Sequence, residues 1–359
     1  MRKRIGLCIA IILLLTSMSA CSRGSDKAAD VGRPEDADKI RVTTTIFPVY
    51  DWVRNVAGDN EKVEISILID SGVDLHSYQP SVEDMRKIAE CDLFIYVGGE
   101  SDKWVADALE GSANKDAVVL NLMDAFGDRA KEEQMVEGMQ AEEHDHDDEH
   151  DHDHDDEGSE EHDHDHDDEG SEEHDHEHGS REYDEHIWLS LRNAATLVDV
   201  ISEGLSGVDS DSSEIYKANA SSYKEKLSKL DKEYANAIEE SKVRVLLFGD
   251  RFPFRYLTDD YGLEYYACFA GCSAETEASF ETIAFLSGKL DELGLKNIIT
   301  IEGTDHSIAE SIIRNSEAKD QRILTLDSMQ AITAADIDAG ASYLSIMEAN
   351  LDVIKEALS

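Results

Sequence analysis

The sequence predicts an α/β protein made of two doubly wound βα lobes joined by one long, rigid helix. Short apolar runs alternate with helical stretches in both halves, which is the pattern of βαβ units and parallel sheets. Between the halves, residues 212–241 contain neither glycine nor proline and carry tyrosine and leucine at helical spacing. A helix of about 30 residues is roughly 45 Å long, so it can serve as a strut between two lobes.

The N-terminal lobe is assigned to residues 39–210, the linking helix to 211–241 and the C-terminal lobe to 242–359. Ser81 is a natural N-cap, with Asp84 at the capping-box position, and Gly294 is a natural helix stop. The first half is predicted to contain strands at 40–47, 63–69, 92–97 and 117–120, with helices ending near 57 and over 81–90 and 103–109. The second half is predicted to contain strands at 243–248, 263–268, 297–301 and 322–326, with helices over 280–293 and 342–358.

The N-terminus has the features of a processing signal. Basic residues precede an apolar stretch, 5–15, that is shorter than the roughly 20 residues needed to span a bilayer. The sequence Met-Ser-Ala-Cys at 18–21 is similar to a bacterial lipobox. We therefore predict a signal peptide at 1–20, a lipid on Cys21 and a flexible polar tether at 21–38, and an ordinary secretory signal is the alternative. The protein is expected outside the cytoplasmic membrane, at the cell surface, anchored by lipid without spanning.

A segment rich in histidine and acid precedes the middle of the chain. Eleven of the fourteen histidines lie within it, and residues 141–178 contain 22 Asp or Glu and no Lys or Arg. Histidine interleaved with carboxylates predicts loose, rapidly exchanging metal binding in a disordered loop over 141–180. A solvated acidic linker is the alternative. The predicted low-affinity ligands are His144, His146, His150, His152, His154, His162, His164, His166, His174, His176 and His178.

Charge and composition narrow the function classes. A net charge of −47 argues against nucleic acid and anionic lipid surfaces as partners and favours cations. The chain contains no HExxH, no GxSxG and no glycine-rich phosphate loop, so an enzyme is not expected. Cys91, Cys268 and Cys272 form an odd set outside the signal and lipid sites, which leaves at least one thiol free of any intramolecular disulfide. Whether Cys268 pairs with Cys272 is left open.

Three histidines lie outside the rich segment, at positions 76, 186 and 306. His76 sits in a loop punctuated by glycine and proline directly after a predicted strand. Ligands of open α/β sheets bind at the carboxyl ends of strands, so this position favours a site. His186 follows the rich segment, at the start of a predicted helix.

Two short motifs carry a resemblance to a known family. Residues 74–80 (DLHSYQP) and 184–189 (DEHIWL) resemble D-P-H-x-Y-x-P and D-P-H-x-W-L of the metal-binding receptors of bacterial zinc and manganese ABC importers. Leu75 and Glu185 replace the prolines. A histidine- and acid-rich loop before the second motif is typical of the zinc-type members. The resemblance spans the mature chain and implies the metal-receptor type of solute-binding fold, with His76 and His186 as metal ligands.

The resemblance also implies ligands from the second lobe. The third is usually a His or Glu after that lobe's first strand, where this chain reads FGDRFPF without histidine. Asp250 is the predicted ligand there, with a helix cap as its alternative role, and Asp327 is the predicted fourth. Glu302 and His306 are second choices: Glu302 as a ligand, a partner of a ligand or a cap, His306 as a substitute histidine. Two imidazoles and two carboxylates would neutralise one divalent ion in a closed site.

The predicted function is an extracytoplasmic, high-affinity receptor that delivers Zn²⁺ to an ABC-type importer, acting with its permease and ATPase. We expect a monomer. The same role for manganese or iron is one alternative, because losing a histidine moves the ligand set toward the oxygen donors that Mn²⁺ favours. A metal-binding surface adhesin is the alternative of another class. The histidine-rich loop is expected to concentrate or relay ions, or to sense their abundance.

Overall fold

The computed structural model describes residues 39–111, 114–140, 183–273 and 277–359. Residues Lys39–Ser359 pack as one unit. The predicted signal peptide, the lipid site Cys21, the tether and the eleven histidines of the rich segment lie outside the described residues. Within the described ranges, no helix combines the length and the apolar character needed to cross a membrane.

The N-terminal lobe is built on a four-stranded parallel sheet with the order β2-β1-β3-β4. Its strands are β1 (Ile40–Thr44), β2 (Val63–Ile67), β3 (Leu93–Tyr96) and β4 (Val118–Asn121), and its helices are α1 (Phe47–Ala57), α2 (Val82–Glu90), α3 (Trp104–Glu110) and α4 (Leu122–Phe126). The first strand is shorter than predicted because Pro48 stands in the first turn of α1, where its fixed φ favours the start of a helix. Ser81 and Asp84 form the predicted capping box of α2.

The C-terminal lobe repeats this arrangement with the parallel order β6-β5-β7-β8. Its strands are β5 (Val245–Phe252), β6 (Glu264–Ala270), β7 (Asn297–Ile301) and β8 (Arg322–Leu326), and its helices are α7 (Arg255–Tyr261), α8 (Phe280–Leu293), α9 (Ser307–Asn315), α10 (Ala334–Asp338) and α11 (Tyr343–Ala357). Strand β5 runs four residues beyond its predicted end, with a register shift between Phe248 and Arg251. Asp250 therefore lies within the irregular end of this strand.

Two long helices connect the sheets: α5 (Leu191–Val208) and α6 (Ser213–Glu240). The predicted long helix is α6. It buries Tyr216, Tyr223, Leu227, Leu230 and Tyr234, the residues whose spacing predicted it. Because that spacing follows the helical period, one face of α6 packs inward along most of its length.

One hydrophobic core extends through both lobes. Trp52 of α1 packs edge-on against Tyr343 of α11, with ring centroids 5.1 Å apart. The Tyr343 hydroxyl donates to the Trp188 carbonyl at 2.7 Å, and the Trp188 indole N–H donates to the Ser328 carbonyl at 2.9 Å. All three aromatic side chains are fully buried. The lobes are thus joined by packed aromatic rings and satisfied polar groups as well as by the connecting helices.

Candidate metal centre

One group of side chains in the described part of the chain gathers three possible metal-ligand atoms. His76, His186 and Cys272 bring these atoms within 4.8 Å of one another. The two imidazoles face each other through Nε2 at 3.2 Å. Two nitrogens bound at 2.0–2.1 Å to a tetrahedral zinc ion are about 3.3 Å apart, so this pair has the spacing that one zinc ion requires.

The position of His76 is fixed by the loop that follows β2. A 3₁₀ turn spans Leu75–Ser77, and the Asp74 carboxylate caps it by accepting from the His76 backbone N–H at 3.0 Å. The imidazole Nδ1 lies 2.7 Å from the Ser101 hydroxyl and 3.1 Å from the Glu185 carboxylate. These contacts occupy Nδ1 and leave Nε2 for the cluster, as in metal sites where a carboxylate orients a ligating histidine.

His186 is oriented in the same way by its own neighbour. One oxygen of Asp184 accepts from both the His186 backbone N–H and the ring Nδ1, each at 2.9 Å. The side chain is fully buried. Burial lowers the pKa of His186, but the charge and hydrogen bond of Asp184, together with the charges of Glu185 and Glu133, leave the pKa above its usual value. Both histidines therefore present Nε2 to the cluster and Nδ1 to a carboxylate.

Glu185 links the loops on which the two histidines stand. It is completely buried, and its carboxylate accepts from the Ser101 backbone N–H at 3.2 Å and from the Ser101 hydroxyl. Burial raises the pKa of Glu185, but hydrogen bonding and charge from His76 bring it below its usual value. Gly99 makes the contact possible, since a Cβ there would lie 2.3 Å from Glu185 Oε2. The carboxylate beside a motif histidine was the only sequence signal of this role.

Cys272 comes from the loop that follows β6, and the sequence predicts no metal-binding role for it. Cys268 and Cys272 are both free thiols. The Cys272 backbone N–H donates to Glu133 Oε1 at 3.2 Å. Burial raises the pKa of the Cys272 thiol well above its usual value, and the charges of Glu185, Glu133 and Asp184 raise it further. The thiolate therefore requires a cation beside it.

The predicted ligand Asp250 lies outside the three-atom cluster. One of its oxygens accepts from the Ile301 backbone N–H at 3.2 Å and from the Thr304 hydroxyl at 2.9 Å. The other accepts from the Arg251 backbone N–H at 2.8 Å. The structure thus uses this carboxylate to tie the end of β5 to the loop after β7.

Asp327 and Glu302 form a carboxylate pair at the ends of β8 and β7, also outside the cluster. Glu302 accepts from the backbone N–H groups of Ser328 and Gln330 at 2.7 and 3.1 Å, and Asp327 accepts from that of Met329 at 2.7 Å. Burial and the charge of Glu302 raise the pKa of Asp327 to about 6. Through these hydrogen bonds the two carboxylates hold the turn that follows β8.

His306 precedes α9 with a left-handed φ of 59°. It lines a cavity of about 480 Å³ together with His76, Asp250 and Arg251. Its Nδ1 is buried without a hydrogen-bond partner among the described residues. The structure therefore places His306 at the approach to the cluster and outside it.

A second cavity and an ion pair involve the loops that carry the cluster residues. Cys272 and Glu133 line a cavity of about 870 Å³ on the other side. Arg251 donates through Nη2 to Asp74 at 2.6 Å and through Nη1 to the Ser273 carbonyl at 3.5 Å. One guanidinium thus joins the loop of His76 to the loop of Cys272.

The chain is similar in sequence to proteins of one family. A family described as zinc-uptake complex component A, periplasmic, matches residues 42–357. The chain belongs to this family. Among its relatives, the zinc-binding lipoprotein AdcA of Streptococcus pneumoniae (strain ATCC BAA-255 / R6) is 31% identical over 354 residues, which cover 99% of this chain and 61% of AdcA. The high-affinity zinc uptake system protein ZnuA of Bacillus subtilis is 29% identical and covers 98% of this chain and 96% of its own length.

Solved structures of similar proteins share the fold. The Zn(II)-bound ZnuA-like domain of Streptococcus pneumoniae AdcA matches with a TM-score of 0.63 and 26% identity, covering 89% of this chain and 99% of that domain. The laminin-binding protein Lmb of Streptococcus agalactiae, described as having adhesin and metal transporting activity, matches with a TM-score of 0.64 and 20% identity, over 89% of this chain and 100% of Lmb. At that identity Lmb shows the fold alone. The predicted two-lobed receptor fold is confirmed.

Proposed function

We propose that this protein is an extracytoplasmic receptor that binds Zn²⁺ with high affinity and delivers it to an ABC-type importer through the permease and its ATPase. The facing pair of imidazole Nε2 atoms, 3.2 Å apart, carries the proposal. Because a carboxylate holds each Nδ1, both rings are fixed in the orientation that presents a lone pair to one ion. The names of the relatives AdcA and ZnuA, both zinc-binding or zinc-uptake proteins, support zinc as the cargo.

The sequence and the family support the proposed location. The family description as periplasmic supports a position outside the cytoplasm, and the lipobox at Cys21 supports a lipid anchor. The protein acts as a monomer in this proposal. The chain spans 61% of the length of its pneumococcal relative AdcA, so the activity proposed here is that of the shared part.

The histidine-rich segment supplies ions to this receptor in our proposal. Its many overlapping His and carboxylate donors favour loose binding and rapid exchange, which suits a loop that concentrates zinc near the cleft. Deleting residues 141–178 should reduce growth only when zinc is scarce. Unchanged growth under zinc chelation would contradict this role.

Metal analysis and competitive zinc titration test the receptor proposal. The protein would start at Ser22 and lack residues 141–178, because the rich segment would otherwise mask the pocket. We expect one tightly held zinc ion, lost in the double variant His76→Ala, His186→Ala and kept in the matched control His306→Ala. Tight zinc binding that survives the double variant would contradict the assigned site. Tight manganese with weak zinc would reassign the cargo, and no tight metal would move the function to the histidine run.

A further inference from the structure

The loop after β6 is shaped to bring Cys272 against the histidine pair. Gly271 packs on the His186 ring so closely that a Cβ there would lie 3.0 Å from its Cε1 and 2.9 Å from the Phe252 carbonyl oxygen. Any other residue at position 271 would push the loop away from His186. The glycine therefore sets the short distance between the thiol and the two Nε2 atoms.

Two further contacts hold this loop from outside. Glu133 accepts the backbone N–H of Cys272, and Arg251 donates to the carbonyl of Ser273. Arg251 is at the same time paired with Asp74, which caps the turn that carries His76. The thiol is thus fixed relative to both imidazoles by the backbone on each side of it.

No carboxylate in the described ranges joins the three-atom group. Asp250 is directed to the loop after β7, and Glu302 is directed to the turn after β8. The thiol is the donor that the C-terminal lobe places beside the two imidazoles.

From these observations we propose that Cys272 binds the cargo as a thiolate and is the third metal ligand, so that the site selects zinc over manganese. The inference rests on the proposed receptor function and deepens it. On binding, the thiol proton passes to solvent and the sulfur lone pair forms the bond to the metal. Thiolate sulfur favours zinc and other soft ions, whereas manganese favours oxygen donors. Cys272 is therefore the residue that determines the preference for zinc over manganese. The two histidines mainly position the ion.

Cobalt(II) provides a direct spectroscopic test, because it occupies zinc sites and shows a near-ultraviolet charge-transfer band only when sulfur is bound. The protein is loaded with Co²⁺ with its histidine-rich segment in place, since residues 141–182 contain no cysteine and add no such band. We expect the band in the wild type and in the matched control Cys268→Ala, and its loss in Cys272→Ser. A cobalt-saturated wild type without the band, or a band that persists in Cys272→Ser, would overturn the inference.

A second variant guards against a folding defect. Cys272→His keeps a ligand, so we expect it to bind zinc and, when loaded with Co²⁺, to lack the sulfur band. In zinc–manganese competition, Cys272→Ser should lower the ratio of zinc affinity to manganese affinity by at least about tenfold, because a weak oxygen donor replaces the thiolate. An unchanged preference overturns the specificity role. If zinc binding needs His76 and His186 but not Cys272, only the role of Cys272 is contradicted. If zinc binding does not depend on the histidines, the proposed receptor site itself is contradicted.

Discussion

The loops that follow β2 and β6 occupy equivalent places in the two sheets, yet they build their parts of the site differently. The first loop is long, contains its own capped turn and presents His76 with Nδ1 held by Glu185. The second places Cys272 two residues beyond the end of β6 and is held by Glu133 and Arg251 from other segments. The two imidazoles are therefore oriented by carboxylates of the histidine motifs themselves, although Glu185 and His76 belong to different motifs, and the Cys272 loop is held by residues outside it.

Metal removal should give the largest effect, because an ion held by both loops binds the folded state alone. At a free zinc concentration 100 times Kd, the free energy of unfolding should rise by about 2.7 kcal/mol. The rise should be smaller at the same zinc concentration in Cys272→Ala, which leaves ligands only from the N-terminal half. Thermal unfolding with zinc and with a chelator measures both. Equal stabilisation of the two proteins would show that the second loop takes no part.

Changing Glu185 tests the contact between the two histidine motifs. Glu185→Ala should weaken zinc binding by about 10- to 100-fold, the usual loss when the partner of a ligating histidine is removed. Glu185→Gln should lie between that variant and the wild type, because it keeps a hydrogen-bonding group beside His76. Competitive titration measures the affinities. Glu100→Gln is the matched control, since Glu100 pairs with Lys103 at the surface.

Asp102, in the N-terminal lobe, should make the free energy of unfolding depend on pH. Burial, reinforced by the charge of Glu185, raises the pKa of Asp102 to about 7, and one of its oxygens has no hydrogen-bond partner among the described residues. The folded state thus holds a proton that the unfolded state releases near pH 4. This contribution to stability is complete below about pH 4 and is lost as pH rises through 7, by roughly 2–3 kcal/mol between pH 5 and 8.

Denaturant unfolding of Asp102→Asn at several pH values isolates this contribution. The variant should lose that part of the pH dependence and gain stability relative to the wild type above pH 7. A parallel pH profile for the two proteins would show that Asp102 ionises normally in the folded state.

The Arg251 ion pair tests the dependence of the second half on distant contacts. Arg251→Ala should weaken zinc binding by up to about tenfold, less than the loss of Glu185, because it frees the loops without altering a ligand's own partner. Arg251→Lys should restore only part of the lost zinc affinity, because a single ammonium cannot reach both Asp74 and the Ser273 carbonyl as the guanidinium does. Faster zinc dissociation in stopped-flow chelation would identify the defect as loosened positioning.

The same contrast explains what the sequence could predict. Alternating apolar runs and helical spacing are local patterns, and they predicted the alternation of strands and helices along the chain and the long helix α6. The motifs around His76 and His186 are also local, so the sequence indicated both histidines that lie in the cluster. Their carboxylate partners lie one or two residues from a motif histidine, within the same motifs.

The second half depends on tertiary contacts that no short pattern reveals. Cys272 reaches the histidines because Gly271 packs against His186, a residue 85 positions earlier in the chain. Asp250 follows the predicted end of β5, but the strand continues past it and its carboxylate accepts hydrogen bonds from Ile301 and Thr304. The strand boundary alone could not show where that side chain would point.

The aromatic core shared by the lobes has a consequence for the lifetime of the bound ion. A hinge motion that moved the two lobes apart would separate Trp52 from Tyr343 and break the hydrogen bonds of Trp188. The energetic barrier to that motion is therefore high. Escape of the ion is then governed by displacement of a few loop residues. We expect ion release to be fastest when the short segment around Cys272 moves, a segment held in part by the hydrogen bonds from Cys272 to Glu133 and from Arg251 to Ser273.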